Sequence, residues 1–473
     1  MKTRLIITAI LFLNFTLQAQ EANKKNVLFI IVDDLRAALP TYGNQQVVAP
    51  NITNFAESAV QFNNAYVNIP TCGASRASIL TGIRPTREYF KKFTTSIERD
   101  MPEAITFPGL LKSHGYTTIS NGKISHNRDD MDFTWSEIWR PQGLYNNQDY
   151  VDQSTSDSLE IGGLGAVYPF ENLDVPDLAY KDGKIAVKAI DDLKTLKDSG
   201  KPFLLAVGFL KPHLPFNAPK KYWDYYDFDK IQLPVNNTFP KNAPKSAGNW
   251  YELVKYKGIP KDIESNGRNA SLHTLDETFS RKLIHGYYAC VSYTDAQVGK
   301  VLRALDELGM KDDTIVIFTS DHGFSLMEHN RWSKHNLFRV ENRVPLMIRV
   351  PGMTSKGRSE SFAELIDLYP TITELLGLKT PNKVEGVSLV QNLKNPELIT
   401  KSVAYSRIWN GDLFVSTNHL YAEWKGEESG HVYDKMLYDL KKDSLEMNNL
   451  ANDTSYYQLT DSLSQNIKFK KVF

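Results

Sequence analysis

The sequence has few cysteines, no excess of either charge and no long apolar run beyond its first residues. Only Cys72 and Cys290 occur in 473 residues, too few for a disulfide-dense scaffold or a zinc site built from thiolates. Lysine plus arginine and aspartate plus glutamate both count 55, without long runs of one sign, which argues against a broad basic face for nucleic acid. Hydrophobic residues at 41% and charged residues at 23% exclude long disorder and a multi-span membrane protein. We therefore expect a large globular core.

The first twenty residues are typical of an export signal. Lys2 and Arg4 precede an apolar stretch from Leu5 to Leu17, and a small-residue region around Ala19 follows it. That stretch is short for a membrane span, which needs about 20 residues, and no other run in the chain approaches this length. We predict a signal peptide at residues 1–20, no membrane span and a periplasmic or secreted location.

Short apolar runs rich in β-branched residues alternate with helical patterns along the rest of the chain. The apolar runs predict buried strands, and the three- and four-residue spacing of Arg281–Leu308 predicts a helix. The predicted strands are Val27–Val32, Phe203–Phe209, Thr314–Phe318 and Pro345–Val350. This alternation predicts an α/β fold with a large, mostly parallel sheet and helices on both faces. Ligands of such sheets bind at the carboxyl ends of the strands.

Two further features suggest how the chain is divided. The stretches Asn127–Lys184 and Phe216–Leu275 are rich in Asn, Asp, Tyr and Pro with little periodicity, which predicts long surface loops that wall a pocket. After about Asn395 the pattern changes to alternating segments and a final polar helix, which predicts a small antiparallel sheet. We therefore expect a main domain at residues 21–396 and a C-terminal subdomain at residues 397–473.

Acidic residues follow two of the predicted strands. Asp33 and Asp34 end the first strand, and Asp321 and His322 follow the strand that begins at Thr314. Adjacent acids repel each other, and a divalent cation between them relieves the repulsion. An Asp-Asp pair alone is equally typical of a turn or a helix cap. Two acidic strand ends with a histidine favour a metal site.

A run of small residues surrounds the first cysteine. The small residues of Thr71–Gly82 allow close packing of the backbone where a helix begins, and they predict a helix with Cys72 and Arg76 on the same face. The positive end of the helix dipole there favours a bound oxyanion. The alternative is a buried cysteine in a helix cap.

These residues together resemble the signature of type I sulfatases, in which the cysteine is oxidised after translation to Cα-formylglycine. The similarity rests on Cys72–Arg76 followed by Leu80–Gly82, and it extends in order through nearly the whole mature chain. Further runs resemble the iduronate-2-sulfatase group of that family: Asp33–Arg36, Gly122–His126, Lys211–Phe216, Gly286–Ala289 and Glu328–Lys334. Ala74 stands where proline is usual and resembles the variant that a radical maturase processes.

The resemblance implies an alkaline-phosphatase-like sandwich and an activity, the hydrolysis of sulfate esters on sulfated oligosaccharides or polysaccharides. Uronate 2-O-sulfate or a related polysaccharide sulfate is the implied substrate. A formylglycine-generating maturase is the implied partner, and its product at Cys72 carries a geminal diol that attacks sulfur and later releases sulfate by elimination. The implied ion is calcium, Ca²⁺, with ligands Asp33, Asp34, Cys72, Asp321 and His322.

The resemblance also implies roles for the remaining site residues. Arg76 and His126 lie beside the diol, with His126 as the base. Lys123 and Lys334 bind the sulfate oxygens, and His213 contacts the substrate and protonates the leaving oxygen. Four of these residues have a plainer interpretation: Arg76 as a structural helix residue, the two lysines as solvated surface residues, and His213 as a packed histidine in a rigid turn.

Two other functions compete with this interpretation. A phosphatase or phosphonate hydrolase on the same scaffold is one, although phosphatases of that kind normally use Ser or Thr and bind two zinc ions. The cysteine signature and the single predicted cation site argue against it. The second is a non-catalytic binder of sulfated glycans, in which Cys72 remains a thiol.

Overall fold

The computed structural model describes residues 24–144, 149–263, 273–426 and 428–467, so the predicted signal peptide lies outside the described residues. Within these ranges no helix has the length and apolar character that a membrane span requires. The strands are β1 Asn26–Val32, β2 Val60–Tyr66, β3 Thr117–Gly122, β4 Glu137–Trp139, β5 Phe170–Glu171, β6 Phe203–Phe209, β7 Phe216–Asn217, β8 Thr314–Ser320, β9 Ser325–Leu326, β10 Trp332–Ser333, β11 Leu346–Arg349, β12 Gly357–Glu364, β13 Val403–Ile408, β14 Gly411–Ser416, β15 His419–Lys425 and β16 Val432–Asp439.

Helices of very different length connect these strands. They are α1 Pro50–Ala56, α2 Cys72–Thr81, α3 Ile97–Asp100, α4 Phe107–Ser113, α5 Gln153–Gly162, α6 Lys181–Ser199, α7 Lys220–Trp223, α8 Glu277–Glu307, α9 Arg339–Asn342, α10 Leu368–Leu375, α11 Val390–Lys394 and α12 Tyr457–Asn466. The long helix α8 matches the predicted helix and begins where the side chain of Asp276 accepts a hydrogen bond from the N–H of Phe279, 3.1 Å away.

The central sheet has eight strands in the order β12-β2-β11-β8-β1-β6-β3-β4. Strand β1 pairs in parallel with β6 and β8, whereas β11 runs antiparallel to its neighbours β8 and β2. The other pairs, β3 with β4 and β6 and β12 with β2, are parallel. The predicted large, mostly parallel sheet is therefore confirmed, and its four predicted strands coincide with β1, β6, β8 and β11 within two residues at each end.

Strand β1 lies at the centre of the core, with apolar side chains on both faces. Leu28, Ile30 and Val32 join the cluster that contains helices α6 and α8. Phe29 and Ile31 face the opposite cluster, which contains α2, α4 and α10. A strand buried on both faces reads as an unbroken apolar run, which is why the sequence predicts it. The parallel strands β1, β3, β6 and β8 deliver the residues that follow them to one edge.

The C-terminal sheet is an antiparallel meander, β13-β14-β15-β16, as predicted. One face packs against helix α12 through Tyr421, Leu437 and Leu463. Leu413 and Met436 on this sheet belong to the same apolar cluster as α2 and α4. The C-terminal sheet is therefore packed directly onto the core of the main sheet.

Candidate active site

Three buried carboxylates meet at the carboxyl ends of β1 and β8. Asp33 continues β1 and donates its backbone N–H to the carbonyl oxygen of Phe209 at 3.1 Å. Asp34 adopts a left-handed conformation with φ of 63°, and its N–H donates to Oδ1 of Asp321 at 3.1 Å. Asp33, Asp34 and Asp321 are all fully buried. The parallel strands thus bring together the acids that the sequence analysis singled out.

Three basic side chains contact these acids. Arg76 donates from Nη2 to Oδ1 of Asp33 at 3.1 Å and from Nε to Oδ2 of Asp321 at 2.9 Å. Lys123 also contacts Asp33, and Nζ of Lys334 lies 2.8 and 3.1 Å from the two carboxylate oxygens of Asp34. The three formal negative charges are therefore matched by three positive ones.

Burial and these ion pairs act on the acids in opposite directions. Burial opposes ionisation of Asp33, but Lys123 and Arg76 overcome it and hold the pKa of Asp33 well below its usual range. At Asp34 and Asp321 burial is the larger effect, and it raises the pKa of both carboxyls. A divalent cation among the three oxygens would favour their charged forms.

Cys72 occupies the first position of α2, after Thr71 in an extended conformation. All ten residues of this helix are buried. Gly73 packs against the carbonyl oxygen of Phe93 so closely that a Cβ atom has no room. Burial raises the pKa of the Cys72 thiol to about 12, so the unmodified side chain is a neutral thiol at pH 7.

His322 bridges the cysteine and the acids. Its Nε2 lies 3.2 Å from Sγ of Cys72 and 3.7 Å from Oδ2 of Asp321, and its Nδ1 lies 3.3 Å from Oδ1 of Asp34. Ligand atoms of Asp33, Cys72, Asp321 and His322 all lie within 4.8 Å of one another. The two carboxylates of this group suit calcium, whereas the imidazole and the unmodified thiol suit it less because calcium prefers oxygen.

A second group of metal-ligating side chains overlaps the first. Ligand atoms of Asp34, Cys72 and His213 also lie within 4.8 Å of one another. In the described part of the chain, both groups of this kind contain Cys72. The two groups therefore share one ligand and lie beside each other at Cys72.

His213 enters the site from the segment after β6. Its Nδ1 lies 2.6 Å from the carbonyl oxygen of Leu214, and its Nε2 lies 3.9 Å from both Oδ2 of Asp34 and Oε1 of Glu252. Glu252 also contacts Lys334, with Nζ and Oε1 3.2 Å apart. Burial, followed by the repulsion of Lys334, lowers the pKa of His213 to about 3.

His126 lies on the side of the site formed by β3. Its ring packs edge-on against Phe93, with centroids 5.9 Å apart, and its Nδ1 has no hydrogen-bond partner among the described residues. Burial, followed by the repulsion of Lys123, lowers the pKa of His126 to about 2. Asp33 and Arg76 also act on this pKa, so His126 belongs to the same electrostatic environment.

The structure thus places every predicted site residue at one edge of the sheet, and it adds residues that the sequence analysis did not assign. Glu252 comes from a predicted loop and carries no motif. Tyr287 on α8 donates from its hydroxyl to the carbonyl oxygen of Asp34 at 2.7 Å and accepts from the N–H of Arg36 at 3.0 Å. Glu328, which the sequence left without a role, pairs with Arg36 at 2.5 Å.

Comparison with known proteins points to one family. The sulfatase family model matches residues 25–378, and the model of the N-sulphoglucosamine sulphohydrolase C-terminal region matches residues 327–472. Iduronate 2-sulfatase of Mus musculus is 31% identical over 519 residues, which cover 93% of each chain.

Two solved structures have the same fold. A protein in complex with its substrate D-glucosamine-2-N,6-O-disulfate aligns with a TM-score of 0.75 at 21% identity, over 93% of this chain and 96% of that one. A phosphonate monoester hydrolase of Agrobacterium radiobacter aligns with a TM-score of 0.73 at 20% identity, over 93% and 94%. The alkaline-phosphatase-like architecture is thereby confirmed.

Because the family model spans most of the sequence and includes the acids and Cys72, this chain belongs to the sulfatase family and is a sulfuric ester hydrolase.

Proposed function

We propose that this sulfatase removes sulfate from sulfated glycans in the periplasm or outside the cell, with a uronate 2-O-sulfate as its preferred ester. The observation that carries the proposal is the set of cations around Cys72: Arg76, Lys123 and Lys334 are buried and held in place by carboxylates. The end-to-end similarity to mouse iduronate 2-sulfatase supports the choice of sugar. The predicted signal peptide supports the location.

The carboxylates of the donor set support calcium as the metal, and the match to the sulfatase family supports Cα-formylglycine at residue 72. Asp33, Asp34 and Asp321 would hold the calcium ion together with His322 and the modified residue 72. Bound calcium would add two positive charges to a balanced cluster, and Cα-formylglycine would supply the hydroxyl nucleophile. Generation of that aldehyde requires a maturase that acts on Cys72.

Lys123 and Lys334 would bind the sulfate oxygens. Both ammonium groups are buried and already fixed on a carboxylate, so little reorganisation accompanies charge development in the transition state. Arg76 spans Asp33 and Asp321 and would hold both acids in position beside residue 72. The cluster would therefore bind an anionic ester in a dry, positively charged environment.

Two histidines would move protons. In His213, Nδ1–H donates to the carbonyl oxygen of Leu214, so Nε2 is the atom available to protonate the leaving oxygen. Asp33 and Glu252 favour the protonated form of His213 against burial and Lys334, which lower its pKa, and a bound anionic ester would favour that form further. A sugar alkoxide is strongly basic and needs this proton. His126, with a free Nδ1 in the described structure, would act as the base.

The similarity to a phosphonate monoester hydrolase favours one alternative, since phosphate, phosphonate and sulfate esters have nearly the same shape. A two-zinc phosphatase would need a second metal position, and both ligand groups of the described residues share Cys72. A sulfated-glycan binder without catalysis is the outcome if Cys72 is not modified.

Two measurements on the exported protein test the proposal. The mass of the tryptic peptide that contains Cys72 should be lower than that of the thiol form by about 18 Da, as conversion to the aldehyde requires. Sulfate release should then be measured on disaccharides sulfated at the uronate 2-position, the glucosamine 6-position or the glucosamine nitrogen. We expect the fastest release from the first. Release only from the other two would contradict the uronate assignment, and an unmodified peptide with no release would indicate a binder.

A further inference from the structure

We propose that Trp409 forms a stacking platform for the sugar ring on the leaving-group side of the sulfate ester. The inference rests on the proposed function, because it assumes a saccharide substrate. It concerns the turn between β13 and β14 in the C-terminal sheet, which no sequence motif marks.

The conformation of this turn is unusual for a tryptophan. Ile408 pairs with Gly411, so Trp409 and Asn410 form a two-residue hairpin loop. Trp409 has a φ of 49°, and glycine is the usual residue at a positive φ in the first position of such a loop. A bulky side chain in this region is a genuine outlier. Residues held in such conformations cluster at ligand-binding sites, where the surrounding structure compensates for the strain.

The Trp409 ring lies at the outer end of a chain of contacts that begins at the cysteine. Thr71, the residue before Cys72, has its Oγ1 3.1 Å from Nε2 of His335. The His335 ring is stacked with Trp409, with centroids 6.0 Å apart and an interplanar angle of 23°. Tyr251 packs edge-on against the same histidine at 5.3 Å. His335 and Tyr251 directly follow and precede the site residues Lys334 and Glu252, respectively.

Exposure to solvent rises from the inner end of this series of contacts to its outer end. Lys334 is fully buried, His335 is 4% exposed and Trp409 is 49% exposed. About half of Trp409 is therefore open to solvent while its ring contacts His335. The sulfate must lie inside, beside the buried lysines, so only the alcohol part of the ester can extend to Trp409. A pyranose ring has an apolar C–H face, and a large aromatic ring offers it contact area at a low cost in conformational entropy.

Substitution of Trp409 tests the platform. In Trp409→Ala we expect the KM of a sulfated disaccharide to rise about tenfold, which corresponds to about 1.4 kcal/mol, with kcat changed by less than about twofold. Trp409→Phe should restore most of the lost affinity, because it keeps an aromatic face. Inhibition by inorganic sulfate should be unchanged, since that ion fills only the inner part of the site.

Binding can also be measured without turnover. With Cys72→Ala as the background, the dissociation constant of the disaccharide, measured by calorimetry, should rise by the same factor when Trp409 is replaced. Phe133→Ala is the matched control, because Phe133 is 65% exposed and the next residue contacts Thr118 near the amino end of β3, away from the site. This control should change neither constant.

The outcomes separate the two claims. If the wild type desulfates the disaccharide and Trp409→Ala leaves its KM and dissociation constant unchanged, the platform is wrong and the proposed function stands. If Trp409→Ala weakens inhibition by inorganic sulfate as much as it weakens binding of the disaccharide, the residue is structural and the platform is again wrong. The same holds if a lower melting temperature is its main effect. If the wild type releases no sulfate from any saccharide, both claims fail.

Discussion

Replacement of His213 by alanine is expected to affect substrates according to how badly their leaving group needs a proton. Nε2 of His213 lies 3.9 Å from an oxygen of Asp34 and 3.9 Å from an oxygen of Glu252, while its Nδ1 is occupied by the carbonyl oxygen of Leu214 at 2.6 Å. The variant removes the proton donor and leaves the carboxylates and Lys334 in place.

The size of the effect follows from the chemistry of the leaving group. General acid catalysis contributes about 100-fold to 10,000-fold, or about 2.7 to 5.4 kcal/mol in the activation free energy. A sugar alkoxide requires the full contribution, since its conjugate acid is very weak. A nitrophenolate or nitrocatecholate is a stabilised anion and requires little. We therefore expect kcat for a sulfated disaccharide to fall by about 100-fold or more and kcat for an aryl sulfate to fall by less than about tenfold.

The assay compares sulfate release from the disaccharide with hydrolysis of nitrocatechol sulfate at the same pH. His285→Ala is a suitable control because His285 is equally buried, at 7% exposure against 8% for His213, but its Nε2 lies 2.9 Å from the carbonyl oxygen of Trp223 on α7. Melting temperatures of both variants show whether either one is misfolded. Equal losses on the two substrate types would refute the role of His213 and direct the search for the acid to Lys334 or His126.

Three further predictions concern the nucleophile, the metal and a buried acid behind the site. Cys72→Ala should fold and lose nearly all turnover, and substantial activity in this variant would contradict the mechanism. Cys72→Ser should accumulate a sulfated enzyme detectable by mass, because a single hydroxyl cannot expel sulfate by elimination. Chelation should abolish turnover and lower the melting temperature, since the three buried acids lose their cation. If metal analysis of the active enzyme finds no divalent ion, the assignment of a cation to these acids is wrong. Burial raises the pKa of Asp182 to about 7 even though the N–H groups of Leu210 and Lys211 donate to it. The folded state therefore holds this proton more tightly than the unfolded state, so the free energy of unfolding should fall as the pH rises from about 4 to about 7, and Asp182→Asn should flatten that slope in urea titrations; an unchanged slope would argue against Asp182 as its source.

The strands of the central sheet that the sequence predicts are those buried on both faces. Strands such as β1 and β6 are continuous apolar runs, and burial on both faces leaves no room for polar residues. Strand β12 at the sheet edge is not predicted, because exposed residues and a buried serine alternate over its first half. Strand β3 is not predicted either, since its buried polar side chains, such as Asn121, are satisfied by hydrogen bonds that only the folded chain provides. Helix α5 formed inside a predicted loop, where its sequence is mostly polar.

The same distinction applies to the site. Asp33, Asp321 and Cys72 could be found because each follows a strand or begins a helix, where the pattern itself fixes the position. Glu252 and Trp409 could not be found, since one lies in an aperiodic segment and the other in a hairpin turn. Their proximity to Lys334 and His335 depends on long-range packing of the C-terminal sheet and the middle loops. A local pattern contains no information about such contacts.

The central claim is that this site hydrolyses sulfate esters of sugars through a modified Cys72. The most direct test compares kcat/KM for two esters of the same hydroxyl group of one sugar, the sulfate ester and the methylphosphonate ester. The protein used is one in which conversion of Cys72 has been verified by mass. The account predicts that kcat/KM is larger for the sulfate ester and that Cys72→Ala abolishes its hydrolysis. An equal or larger kcat/KM for the phosphonate ester, or sulfate release that survives Cys72→Ala, would contradict it.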